Sequence, residues 1–121
     1  MEENNKIIAE FLLPNNESTD YYLPKFGLYL NRYGETYYEE VFRIDEMKFH
    51  SDWNWLMEVV EKIENLNYWI NFHGNISYYN FEIGTNNNDF KTIIGEGDTK
   101  FKAVYDAIIK FINFYNKQKE E

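Results

Sequence analysis

A chain of 121 residues, 44% hydrophobic and 20% aromatic, is long enough to bury one core of its own, and the absence of cysteine removes disulfides, thiolate catalysis and Cys-ligated metal sites. Twelve Lys and Arg stand against 21 Asp and Glu, a net charge of −9 concentrated in the N-terminal half, so direct DNA or RNA binding is disfavoured while basic protein surfaces are attracted. The acidic start Met1-Glu2-Glu3-Asn4-Asn5-Lys6 does not read as a signal peptide and no apolar run approaches the roughly 18 residues of a membrane span, which points to the cytoplasm.

In chain order, Ile7, Ile8, Phe11 and Leu12 recur at helical spacing and predict a first helix over 5–13, ended by Pro14. A polar loop over 15–20 follows, then a strand over 25–31 with Phe26, Leu28 and Leu30 on one face, a turn at Tyr33-Gly34 and a second strand over 36–44 with imperfect alternation. Ser51 or Asp52 caps a central helix whose predicted apolar stripe is Trp53, Leu56, Met57, Val60 and Ile63, widened by Trp55 and Val59.

Next comes a hairpin, 68–73 and 76–84, turning at Gly74-Asn75, with Tyr79, Phe81 and Ile83 on one side and Tyr78, Asn80 and Glu82 on the other. A polar loop over 85–89 and a short strand over 91–94 lead through Gly95-Glu96-Gly97 into a last helix capped by Asp98 or Thr99. Its stripe is Phe101, Val104, Tyr105, Ile108, Phe111, Ile112 and Tyr115, and residues 116–121 are expected to fray. The order predicts a single α+β domain over 1–121: a largely antiparallel sheet of four to five strands packed with three helices.

No spacing identifies a nucleophile with its base or a fixed pair of carboxylates, so the chain does not read as an enzyme, and neither a cofactor nor a metal is expected. His50 and Asp52 read as a loop histidine beside a capping carboxylate, and His73 as a hairpin-end residue. Gly95-Glu96-Gly97-Asp98-Thr99-Lys100 resembles a phosphate cradle before a helix, but Glu96 and Asp98 oppose an anion, and a turn with a cap explains it better. Lys100, Lys102, Lys110, Lys117 and Lys119 read as a solvated helix face.

Tyr37, Tyr38, Glu39 and Glu40 with Asp45 and Glu46 form the candidate partner-binding cluster, because aromatics beside carboxylates stack on arginine while the acids pair with it. Tyr29, Trp69 and Tyr78 extend it as an expected aromatic strip over the sheet. The plain alternative is that tyrosine is a good strand former suited to half-buried positions.

The run Phe49-His50-Ser51-Asp52-Trp53-Asn54-Trp55-Leu56-Met57-Glu58-Val59-Val60-Glu61-Lys62-Ile63-Glu64 resembles the signature of short proteins of Bacteroidota phages and mobile elements, in which a Ser-x-Trp-x-Trp-Leu-Met run and a Val-x-Lys-Ile-Glu tail precede a sheet. Fainter likeness extends to residues 6–11 and 103–116. The resemblance implies an α/β sandwich with helices on both faces, although the polar alternates Asn71, His73, Asn80 and Glu82 suggest a face only partly covered. It brings no catalytic motif. It implies a counter-defence role of the anti-CRISPR type: a stoichiometric inhibitor, working in the bacterial host, of a basic RNA-guided effector, type VI-B first. A nucleotide-binding counter-defence module and a phage accessory protein are the alternatives.

Overall fold

The computed structural model describes residues 2–12, 21–22, 28–30, 36–38, 42–74, 77–86 and 91–119. Its contacts divide the chain into two units, Met1–Glu58 and Val59–Glu121. The class is α+β, with three helices and a three-stranded antiparallel sheet among the described residues.

In the first unit, α1 spans Glu2–Leu12. It begins ahead of the expected Asn5, with Glu3 in the first turn, where a carboxylate favours the positive end of the helix dipole. Ile8, Ala9 and Phe11 are buried and join Met47 and Phe49 in the core. Asn5, also buried, donates its Nδ2 to the Met47 carbonyl at 3.1 Å and ties α1 to the segment after residue 46.

The strands of this unit do not extend one large sheet. β1 (Tyr21–Tyr22) pairs with β4 (Phe42–Arg43), and β2 (Leu28–Leu30) pairs with β3 (Thr36–Tyr38), each as a separate antiparallel ribbon. The expected strand over 36–44 is thus two strands that serve different neighbours, which accounts for its broken alternation. Ile44–Glu46 turns as a short 3-10 helix instead of continuing the strand. Among the described residues the largest sheet has three strands, against the four to five predicted.

Helix α2, Trp53–Asn65, crosses the boundary between the units. Asp52 is its cap: the Asn54 N–H donates to Oδ1 at 2.8 Å, and the Leu56 N–H donates to the Asp52 carbonyl. Such a cap contributes about 1 kcal/mol. The buried face is Trp55, Leu56, Val59, Val60 and Ile63. Trp53 and Met57, expected in the stripe, stay 43% and 40% exposed. At about 100° per residue they lie roughly 80° and 120° from the centre of the buried face, so the predicted stripe extends one flank too far round the helix. Asn67, at φ 71°, ends the element in the left-handed conformation that asparagine tolerates better than most residues.

In the second unit β5 (Trp69–Gly74), β6 (Tyr79–Gly84) and β7 (Ile93–Gly97) form an antiparallel sheet with β6 in the centre. The expected alternation holds. Phe81 and Ile83 are buried on one face, and their neighbours on that face are Phe72, Ile70, Gly95 and Ile93. Gly95-Glu96-Gly97, read from sequence as a connector, lies inside β7 and pairs with Phe81, Asn80 and Tyr79.

Helix α3, Lys100–Lys119, covers the Phe81 face and stays helical past the point where fraying is expected. Thr99 is its cap, accepting from the Lys102 N–H at 3.1 Å. Asp98 pairs with Lys102 at 3.0 Å, and that hydrogen bond and charge lower its pKa below the ordinary aspartate value. The buried helix face contains two residues absent from the predicted stripe, Ala103 and Ala107, beside Val104, Ile108, Phe111 and Ile112. A Cβ on Gly95 would collide with the Ala103 carbonyl and the Ala107 backbone, so glycine facing alanine is what lets helix and strand approach. Phe111 also meets Tyr68 edge to face at 4.9 Å.

Candidate functional site

The sheet face opposite α3 carries Trp69, Asn71 and His73 on β5, Asn80 and Glu82 on β6, and Ile94 and Glu96 on β7. Trp69, Asn71, His73, Ile94 and Glu96 are exposed, and Asn80 and Glu82 are half-buried. Exposed Tyr78, immediately before β6, joins this face through hydrogen bonds with Glu96 and Asn80. His73 Nε2 lies 3.6 Å from Glu82 Oε1. The result is a polar surface with two carboxylates, Glu82 and Glu96, set among three large exposed hydrophobic residues, Trp69, Tyr78 and Ile94.

Trp69 occupies one end of this face, where its ring lies against Gly84, the residue it pairs with across the strands. At the other end Tyr79 covers its partner Gly74 on the opposite face. Each aromatic ring shields a glycine that has no side chain to protect the ladder, the arrangement known to rescue glycine in sheets.

The Tyr78 hydroxyl is held protonated by its hydrogen bond to Glu96 first, then by desolvation and the Glu96 charge, while Asn80 acts in the opposite sense. The pKa therefore lies above the ordinary 10.0. Because the folded value is raised, this bond contributes fully below the unfolded pKa and is lost as pH rises through the folded one. In an alkaline titration of ring-labelled tyrosine followed by NMR, Tyr78 is expected to ionise above pH 10.0, and Glu96→Gln to move it back down. An unmoved Tyr78 titration in that variant contradicts the contact.

The two edges of the sheet differ. On β7, Lys110 donates its Nζ to the Ile94 carbonyl at 3.0 Å and the Glu96 N–H donates to Asp106 Oδ2 at 3.0 Å, with Asp106 and Lys110 themselves paired at 3.0 Å along α3. The helix thus plugs backbone groups that an edge strand otherwise offers to a neighbour. β5 has no such plug among the described residues.

No protein-family model, curated protein or solved structure matches this chain.

The candidate partner-binding residues fall on separate elements. Tyr29 and Tyr37 sit opposite each other in the β2–β3 ribbon, where Tyr38 faces Leu28. Asp45 and Glu46 are exposed on the 3-10 turn after β4, and Glu39 and Glu40 lie outside the described residues. Trp69 and Tyr78 share the open face of the three-stranded sheet but at opposite ends of the hairpin. Tyr29, on β2, and Trp69 and Tyr78 thus belong to two different sheets among the described residues, not to the one sheet expected.

The other sequence candidates acquire structural roles. Asp52 caps α2, and His50 is half-buried beside it with its Nδ1 lacking a hydrogen-bond partner among the described residues. The glycines before α3 belong to β7, where their backbone is committed to the ladder. Lys100, Lys102 and Lys110 are exposed on α3, the last two paired with Asp98 and Asp106. Among the described residues no three His, Asp or Glu converge in a metal-binding group, and no helix is long and apolar enough to cross a membrane. Sequence reasoning missed Glu96 and Ile94 as surface residues because it ended the strand at 94; extending the alternation through Gly97 recovers both.

Proposed function

We propose that this protein is a binding module that captures a basic protein partner, as a stoichiometric inhibitor of a host RNA-guided nuclease, the role implied by the resemblance of its signature helix to short phage and mobile-element proteins. The observation that carries the reading is the open sheet face, where Glu82 and Glu96 stand among exposed Trp69, Tyr78 and Ile94. Carboxylates beside aromatic rings match the chemistry of arginine, which pairs with the acids and stacks on the rings. The net charge of −9 favours capture of a positive surface over long range, and the nucleic-acid channel of a CRISPR effector is such a surface. Asp45 and Glu46 on the first unit, with Glu39 and Glu40 a few positions earlier in the sequence, provide a second acidic segment for the same field.

The test is a titration of purified type VI-B effector with the protein, reading complex formation and target cleavage together. A one-to-one complex that weakens as salt rises, with cleavage blocked, is the expected result. Glu82→Lys with Glu96→Lys is expected to weaken it by about a hundredfold, since reversing charges costs more than deleting them. Reversal at Glu39, Glu40, Asp45 and Glu46 measures the contribution of the other segment. No complex and unimpaired cleavage overturn the assignment to this effector.

A further inference from the structure

We propose that the free edge of β5 accepts an extended segment of the partner as a fourth strand, one that alternates basic residues over the open face with apolar residues over the α3-covered face. The inference rests on the binding-module reading above and adds the mode of recognition.

The backbone parity follows from the plugged edge. In an antiparallel sheet, residues that bond the neighbouring strand alternate with residues whose N–H and C=O point away. On β7 the groups taken by α3 are those of Ile94 and Glu96, so Ile93, Gly95 and Gly97 are the residues that bond β6. Their register partners are Ile83, Phe81 and Tyr79, which leaves Asn80, Glu82 and Gly84 to bond β5 at His73, Asn71 and Trp69. The outward backbone groups of β5 are therefore those of Ile70, Phe72 and Gly74.

This edge lacks the usual guards. Trp69-Ile70-Asn71-Phe72-His73-Gly74 has no lysine, arginine, aspartate, glutamate or proline, and five of its six residues are exposed. An exposed edge strand of this length without lysine or proline is a template for strand addition, and α3 blocks the other edge. The contrast between the two edges of one sheet singles out β5.

Charge chooses the occupant. A second copy is another acidic chain of net charge −9, which repels the first over long range, whereas a basic segment is attracted both to that field and to Glu82 beside β5. On the open face an added strand lies beside Asn71, whose partner across the ladder is Glu82. The added strand is then about 10 Å from β6, two strand spacings, a gap that an extended arginine and a glutamate close over the short Asn71 side chain. Trp69 on the same face offers a ring for a second cation. On the opposite face Phe72 is 40% exposed and Lys100 already sits 5.9 Å from its ring, which favours apolar over basic side chains there.

The experiment uses the full chain, titrated with a short capped peptide of alternating arginine and valine and, in parallel, with a peptide of equal charge interrupted by proline. Binding is read by calorimetry and by amide hydrogen exchange. Expected is tighter binding of the alternating peptide, with exchange slowed at the Ile70 and Phe72 amides and little changed at Asn71 and His73, which already bond β6. Phe72→Pro removes an outward N–H without touching the β6 ladder, and is expected to weaken binding at least about tenfold relative to Phe72→Ala, which removes the ring alone.

Equal, salt-sensitive binding of both peptides without protection of Ile70 and Phe72 overturns strand addition and leaves the acidic-surface reading standing. No binding of either peptide also overturns it, and the effector titration then decides the broader reading separately. Protection of Ile70 and Phe72 that appears with rising protein concentration and no peptide overturns the partner in favour of a second copy.

Discussion

Gly95→Ala is expected to destabilise the second unit by about 3 kcal/mol or more, enough to lower the melting temperature by roughly 10–20 °C or to prevent folding. The added methyl meets the Ala103 carbonyl and the Ala107 backbone of α3, groups that move only if the helix moves. Gly97→Ala is expected to cost less, since its Cβ meets the Lys102 Cβ at 2.7 Å and the Ala103 nitrogen at 2.9 Å near the start of the helix. Gly84→Ala is expected to cost least of the three, because its obstacle is the exposed Trp69 ring, which can swing away. Thermal denaturation followed by circular dichroism checks the order. A Gly95→Ala protein that melts within a few degrees of the parent contradicts the close approach of α3 to β7.

Trp55→Ala is expected to cost about 3–5 kcal/mol, while Trp53→Ala, two positions earlier in the same helix, is expected to cost less than about 1 kcal/mol. Trp55 is 1% exposed and meets the Phe49 ring at 5.0 Å and 89°, an edge-to-face pair inside the first unit. Its removal empties a fully buried site, whereas Trp53, 43% exposed, keeps much of its ring in water in the folded protein and gives up less buried surface. Urea unfolding of the two variants separates the cases. Equal losses contradict the assignment of Trp55 to the core face of α2.

The contrast between these tryptophans shows what periodicity conveys. The spacing of apolar residues over 53–63 was sufficient to place a helix there, and Asp52 was one of two caps the sequence offered. It did not select the buried side, because seven apolar residues on one short helix span more than half its circumference and only a packing partner chooses among them. On β6 the choice was simple: strict alternation leaves Tyr79, Phe81 and Ile83 on one face, and burial of Phe81 and Ile83 follows. For 36–44 the alternation was broken, and the break marked the place where one expected strand divides between β3 and β4.

The binding surface was only partly legible for the same reason. Trp69, Tyr78 and Glu82 could be placed on an exposed alternation from sequence, but their neighbours Ile94 and Glu96 required the register of β7, and the separation of Tyr29 required knowing which strands share a sheet. The plugging of β7 by Asp106 and Lys110 is a contact between a helix surface and a strand edge, and no local pattern announces it.

By itself the sequence determined the class, the three helices, the central hairpin, the acidic field and the absence of cysteine chemistry, all properties of composition or of short-range spacing. Tertiary structure alone decided which strands pair, which side of α2 is buried, why Gly95 is a glycine and which edge of the sheet is open. Those outcomes depend on contacts between residues distant in the chain, where close packing and backbone hydrogen bonding select one arrangement among several that the local pattern allows.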